Sequence, residues 1–386
     1  ISSVEGVFTP FHKALFTSTS AVCVTGLAVL DTGSYWSFFG QLVILILIQI
    51  GGLGVVTVTV SVTLLSGKKI SLMQRTTMQD AIAAPRIGGI VRLTKFILKG
   101  TFLVELIGAV LLLPVFGKDF GVKGIWMSIF HSISAFCNAG FDILGTTKNT
   151  FPSLLQYAGN ALVNVVIMLL IIIGGIGFLT WEDVCTNTYH FRRYRLQSKI
   201  VLVTTAVLIL LPSLFFFFWN FKNLAMEERL LASFFQAVTP RTAGFNTVDI
   251  GKMAEPAQTL IIILMLIGGS PSSTAGGMKT TTIAVLLLNA FATFRSKDTV
   301  SAFHRRIDNH VIRDAATLLM LYVMLFFGGG IAISMYEGLP LAECLYETAS
   351  AVGTVGLTLG ITPHLHMTSQ LILIVLMYLG RVGGLT

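Results

Sequence analysis

The sequence predicts an all-α integral membrane protein with a fourfold internal repeat, and three observations predict it. Of the 386 residues, 54% are hydrophobic and 11% charged, with a mean hydropathy of +0.82. A soluble globular chain carries roughly 25% charged residues. The apolar runs are long and do not strictly alternate, which points to helices rather than to a barrel. Finally, a short segment ending in a glycine loop recurs four times, each time followed by an apolar stretch holding paired glycines.

The formal net charge is +8. In a membrane chain that excess belongs in short cytoplasmic connections, so nucleic-acid binding is not implied. Cys23, Cys137, Cys185 and Cys344 show no CxxC or Cys/His spacing and read as small apolar fillers. No signal peptide with a cleavage site is visible. The chain starts without Met and stops inside an apolar segment, so both ends are expected to be truncated.

Taken in order, Pro10 to Ala21 is a short helical segment, and Gln41 to Leu65 is long enough to span a bilayer. A basic connection follows, with Lys68, Lys69, Arg75 and Arg86, then a span from Phe96 to Leu113 stopped by Pro114. Trp126 to Phe136 is the second short segment, and Asn160 to Leu179 spans again. After Arg192, Arg193, Arg195 and Lys199, Ile200 to Trp219 spans back, and Glu228 to Val238 is the third short segment. Ala257 to Phe291 is too long for one span and is broken at Gly268 to Gly277. A third basic connection leads to the span Ala315 to Met335, the short segment Leu341 to Val352, and a last span from Gln370 to Gly384. The repeats are assigned to residues 1–67, 68–190, 191–296 and 297–386. Their period is on the order of 110 residues, far above that of solenoids. The connections on the glycine-loop side are poorer in Lys and Arg, so the basic connections are expected in the cytoplasm and the glycine loops open outward.

The four loops are Val24-Thr25-Gly26, Asn138-Ala139-Gly140, Thr242-Ala243-Gly244 and Thr354-Val355-Gly356. Thr-Val-Gly opens the loop with which potassium channels replace an ion's hydration shell by backbone carbonyls. Four such loops suffice to ring one pore. The short segments before them would aim the partial negative charge of their carboxyl ends at it. The alternative is four packing glycines in helix breaks.

With Thr239-Pro240-Arg241-Thr242-Ala243-Gly244-Phe245-Asn246, Asn138-Ala139-Gly140-Phe141, the broken third-repeat span and Gly380-Arg381, the chain resembles the Trk/Ktr/HKT superfamily of potassium and sodium translocators, most closely its bacterial KtrB-type membrane subunits. The resemblance covers essentially the whole chain. It implies four pseudo-symmetric membrane-pore-membrane repeats around one central pore, the first outer helix lying outside this stretch. It also implies a homodimer with one pore per subunit, in the lipid of the plasma membrane. A cytosolic KtrA/TrkA-type ring, binding ATP/ADP or NAD, would dock on the inner face, with no cofactor in this chain. The twelve loop residues would form the filter for K+. Gly268, Gly269, Ser270, Pro271, Ser272, Ser273, Thr274, Ala275, Gly276 and Gly277 would form an intramembrane gate, with Arg381 as an electrostatic barrier below the filter. The bland alternatives are a flexible kink and a snorkelling arginine. In the plant branch serine at the first filter glycine goes with sodium; Gly26 therefore favours potassium.

Other residues carry less. Gly276-Gly277-Met278-Lys279-Thr280 lacks the spacing of a nucleotide P-loop. Arg241 reads equally as loop bracing or a part of conduction, Glu105 as a structural hydrogen-bonding group, and His131 as a helix-packing residue. The glycine pairs Gly51-Gly52 and Gly174-Gly175 read as close helix packing. The function expected is channel-like potassium uptake, with a sodium-coupled symporter or sodium-permeable member as the rival. An intramembrane hydrolase would need a facing Ser/His or Asp/Asp pair, and no span offers one. A carrier for organic solutes would predict inverted halves rather than four quarters.

Overall fold

The computed structural model describes residues 2–54, 90–297 and 299–383. The connection with Lys68, Lys69, Arg75 and Arg86, the far half of the predicted 41–65 span, the repeat boundary at 67 and Gly384 lie outside them.

Four short helices precede the glycine loops: α1 Phe11–Val22, α5 Lys123–Phe136, α9 Met226–Val238 and α13 Leu341–Gly353. Pro10 and Pro340 sit at the N-caps of α1 and α13, where a missing N–H costs nothing. After each loop comes an apolar helix: α3 Phe38–Leu53, α6 Ala161–Gly175, α10 Glu255–Leu266 and α14 Met367–Val382. Ser37 caps α3 by accepting from Gly40 N, and Asn160 caps α6 by accepting from Val163 N. The one-turn helix α2, Thr32–Tyr35, is capped by Asp31. Three long helices lead into the second, third and fourth short helices: α4 Ile90–Phe120, α8 Leu196–Phe215 and α12 Asn309–Glu337. Each is long and apolar enough to cross a membrane. Their outward faces keep Phe102, Leu106, Leu210, Leu214, Met324 and Phe327 exposed, as lipid contact requires.

Three expectations need correction. Pro114 does not stop its helix; α4 runs on to Phe120 with Pro114 inside it. In water a proline costs a helix a hydrogen bond, but in a bilayer neighbouring groups re-satisfy the freed carbonyl. The 160–179 span is not one helix. It breaks after Gly175, and α7, Phe178–Asn187, leaves at 97°. Gly177 makes that corner at φ +91°, Trp181 Nε1 donates across it to the Ile173 carbonyl at 2.8 Å, and Phe178 N donates to Ser272 O. Cys185 is exposed, unlike the three buried cysteines. The third-repeat span divides as the sequence predicts, into α10 and α11, Thr280–Phe294. A small hairpin of β1, Ser301–Ala302, and β2, Arg305–Arg306, follows.

Every short helix packs against the apolar helix of its own quarter and that of the preceding quarter. These pairs are α5 with α6 and α3, α9 with α10 and α6, α13 with α14 and α10. Contact of α1 with α3 and α14 closes the circle. The paired glycines make these crossings close. A Cβ on Gly51 would strike the carbonyl of Val22, one on Gly174 that of Phe136, and one on Gly380 that of Val352. In each case the carbonyl belongs to the last turn of the quarter's own short helix. In the third quarter Gly268 faces Gly276 O instead, because the chain there turns into the Gly268–Gly277 loop.

Gly174→Ala and Gly380→Ala are therefore expected to destabilise the protein by about 1–3 kcal/mol each. Gly328→Ala, where a Cβ meets open space inside α12, is expected to be neutral or to stabilise by about 0.5–1 kcal/mol. Thermal unfolding of the three variants in one detergent separates the two classes. Equal shifts would mean that the close crossings do not set the glycines.

Candidate functional site

The helices converge on the four glycine loops. Each begins at a non-glycine residue in the left-handed region: Val24 (φ 56°), Asn138 (57°), Thr242 (65°) and Thr354 (51°). Two residues on, a glycine is left-handed again: Gly26 (88°), Gly140 (67°), Gly244 (79°) and Gly356 (94°). The residues between, Thr25, Ala139, Ala243 and Val355, are fully buried. A left-handed non-glycine costs roughly 1–2 kcal/mol, so four in register need a common cause. The alternation excludes both helix and strand. As a result no described residue donates a hydrogen bond to any carbonyl of these twelve residues. Buried carbonyls are rarely left this way.

The loops meet in a closed ring. A Cβ on Gly26 would strike the Ala139 carbonyl, one on Gly140 that of Ala243, one on Gly244 that of Val355, and one on Gly356 that of Thr25. Each glycine thus abuts the carbonyl of the next quarter, and the fourth returns to the first. Only a residue without a side chain fits there. The end of each short helix anchors its loop: Thr25 N donates to Ser20 O, Ala139 N to Ser134 O, Ala243 N to Thr239 O and Val355 N to Ser350 O. Hydroxyls add braces from Ser134 Oγ to Phe141 O (2.7 Å) and from Thr239 Oγ1 to Phe245 O (2.6 Å), while Ser350 Oγ accepts from Gly356 N (3.0 Å). Asn138 Nδ2 donates across quarters to Arg241 O at 3.1 Å.

The Gly268–Gly277 loop lies against the side from which the chain enters the ring. Thr274 Oγ1 donates to Phe136 O (3.1 Å) and lies 3.3 Å from Asn138 Oδ1. Thr274 N and Ser270 N donate to the carbonyls of Gly174 and Gly175, and Gly277 N to that of Gly380. Gly276 faces the side chain of Thr354. Arg381 clamps the loop: Nη1 donates to Thr274 O at 2.6 Å, and Nη2 to Gly51 O. The predicted gate residues and Arg381 thus come together directly behind the ring, in contact with three of the quarters.

On the opposite side a cavity of about 250 Å³ is lined by Gly26, Gly140, Gly244 and Gly356 together with Asp31 and Asp142. Sequence reasoning missed these aspartates. Asp31 accepts from Ser34 and, across quarters, from Phe151 N at 2.8 Å. Asp142 accepts from Leu144 N at 3.1 Å. Burial, and then the neighbouring Asp31 charge, pushes the Asp142 carboxyl up to about 7. Sequence reasoning also passed over Glu347, although a glutamate inside a short apolar segment was signal enough. Lys279 was weighed only within the rejected P-loop; its Nζ donates to Ala275 O at 2.9 Å.

The remaining charged candidates, Glu105, Arg241 and His131, do not line this cavity. Glu105 accepts from Gln49 Nε2 at 3.0 Å. Arg241 is buried, with Nη2 donating to Thr205 Oγ1 at 3.1 Å. His131 is buried, with Nδ1 2.8 Å from the Met127 carbonyl and its ring against Phe116.

The profile of the TrkH family, described as cation transport protein, matches residues 4–386. The potassium/sodium uptake protein NtpJ of Enterococcus hirae is 41% identical, over 100% of this chain and 86% of its own length. The Ktr system potassium uptake protein B of Bacillus subtilis is also 41% identical, over 97% of this chain and 84% of its own. Among solved structures, the potassium transporter TrkH of Vibrio parahaemolyticus superposes with a TM-score of 0.75 at 18% identity, covering 97% of this chain and 77% of its own, and so shares the fold. The chain is a multi-pass plasma-membrane protein and belongs to the TrkH family of cation transport proteins.

Proposed function

We propose that the ring of four loops is a carbonyl filter through which dehydrated K+ enters the cell. The observation that carries this reading is the set of buried, left-handed loop residues whose carbonyls have no hydrogen-bond donor among the described residues. A monovalent cation supplies the partner that those oxygens lack. Each of the assigned repeats (1–67, 68–190, 191–296, 297–386) contributes one loop, which explains why the glycines recur in register. The Gly268–Gly277 loop closes the path behind the filter, and Arg381 holds it closed while opposing a cation with its own charge. The basic connections face the cytoplasm and the 250 Å³ cavity faces outward. A membrane potential of 100 mV contributes about 2.3 kcal/mol per monovalent cation, which sustains uptake without a catalytic nucleotide site. A homodimer and a cytosolic nucleotide-binding regulatory ring complete the assembly in this reading; the name of the Bacillus subtilis relative, Ktr system potassium uptake protein B, supports only that a system has further components. The potassium/sodium name of the Enterococcus hirae relative supports one second reading, a filter that also passes Na+.

Cation flux into liposomes holding the purified protein, compared for K+, Rb+ and Na+, tests the filter. Flux is expected to prefer K+, and Gly356→Ser, which pushes a side chain at Thr25 O, is expected to abolish the preference. Unchanged selectivity in a monodisperse Gly356→Ser protein would remove the loops from the pathway. Arg381→Gln, which removes the charge and weakens the clamp, is expected to raise flux several-fold; unchanged flux would count against the gate.

Asp142 adds a pH dependence. A carboxyl raised to about 7 is charged above that pH and neutral below it. Its negative charge concentrates cations at the mouth only in the charged state. Uptake at low external K+ is expected to fall as external pH drops through 7, and Asp142→Asn is expected to flatten that step. A step that survives in Asp142→Asn belongs to another group.

A further inference from the structure

We propose that Glu347 is a positioning residue that holds the fourth loop in the shape that discriminates K+ from Na+. The inference rests on the filter reading above and goes beyond it, because Glu347 lines no part of the ring.

Glu347 is fully buried in α13, nine residues before Gly356. No Lys, Arg or His pairs with it among the described residues. A buried carboxylate without a cation is costly unless hydrogen bonds satisfy it. Here all of its partners come from the segment just beyond the loop. Oε1 accepts from Thr358 Oγ1 and from Leu359 N (3.3 Å), and Oε2 accepts from Thr362 Oγ1 (2.6 Å). Gly360 N donates in turn to Thr358 Oγ1 at 2.9 Å. The carboxylate thus staples residues 358–362 to the helix that precedes the loop. Thr354-Val355-Gly356 is fixed from both sides, by Ser350 before it and by Glu347 after it.

Among the described residues the other quarters show no such carboxylate. Nine residues before Gly26, Gly140 and Gly244 stand Thr17, His131 and Phe235. Thr17 Oγ1 donates to Lys13 O, and His131 Nδ1 lies against Met127 O, each within its own helix. Ser134 and Thr239 reach one residue past their loops, to Phe141 O and Phe245 O; among the described residues the fourth helix alone reaches further with a carboxylate, tying down residues 358–362. Two of the four ring contacts run through that loop, since Gly244 abuts Val355 O and Gly356 abuts Thr25 O. Loosening it moves carbonyls in two neighbouring gaps, and the field those carbonyls present decides which cation is preferred.

The test measures the K+/Na+ flux ratio of the full chain in liposomes for Glu347→Ala, Glu347→Gln and Thr362→Val, with Gly356→Ser alongside and thermal unfolding as the check on folding. Glu347→Ala is expected to lower the ratio at least about tenfold, which corresponds to ~1.4 kcal/mol. Glu347→Gln keeps an acceptor for the hydroxyls and is expected to recover most of the ratio. Thr362→Val, which leaves α13 untouched, is expected to fall between them and carries the test if Glu347→Ala does not fold. A wild-type ratio in folded Glu347→Ala, or in Thr362→Val where the alanine variant fails to fold, overturns the proposal. If Gly356→Ser changes the ratio while these variants do not, the filter stands and only the role of Glu347 falls. If Gly356→Ser also has no effect, the filter reading itself is lost and this proposal with it.

Discussion

A bilayer gives backbone carbonyls no water to turn to, and this structure buries four loops whose carbonyls accept no hydrogen bond among the described residues. Each orphaned carbonyl costs about 1–3 kcal/mol, and each left-handed valine, asparagine or threonine adds to that. Such a conformation persists only where the surroundings over-determine it. The rest of the fold can be understood as that over-determination. The short helices deliver the chain to the ring, the i−4 and i−5 bonds at their ends fix the first turn of each loop, and the apolar helices press on them from outside.

The glycines answer the same constraint at two levels. Gly26, Gly140, Gly244 and Gly356 let neighbouring loops touch backbone to backbone, so the ring closes without side chains between its members. Gly51, Gly174 and Gly380 let the apolar helices touch a carbonyl in the last turn of their short helices, which sets the distance from scaffold to ring. The third quarter departs from the second rule. Its apolar helix stops at Leu266, and the chain uses Gly268 to Gly277 to run beneath the ring before resuming at Thr280. One quarter thus gives up close packing, and the segment released is the one that contacts Phe136, Asn138, Thr354 and Arg381.

Much of this was legible in the sequence, because glycine spacing and short apolar segments are local signals. The four short helices, the four loops and the break at Gly268 were all read from composition and order. Features that depend on solvent or on distant partners were not. Pro114 looks like a terminator only by the rules of water. The corner after Gly175 follows from packing on Ser272, nearly a hundred residues on. Asp31 and Asp142 are unremarkable aspartates until the fold brings them to one cavity beside the ring glycines. Arg381 was singled out as a charge in an apolar span, but nothing local predicts that it would reach Gly51 O at the other end of the chain.

Arg381 and Glu347 show two solutions to a buried charge, and the difference bears on what each can do. Glu347 is satisfied by one amide and two hydroxyls from one short segment, so its role is confined to that segment. Arg381 is satisfied by two carbonyls from two different quarters and by no carboxylate among the described residues. Carbonyl dipoles hold a guanidinium in place without cancelling its charge, as a carboxylate would. The positive field beside the ring therefore persists for as long as the two bonds do. A movement that separates Thr274 from Gly51 must break at least one of these two bonds. Under the proposed function, clamp and electrostatic barrier are a single side chain, which would couple the shape of the Gly268–Gly277 loop to the field along the path.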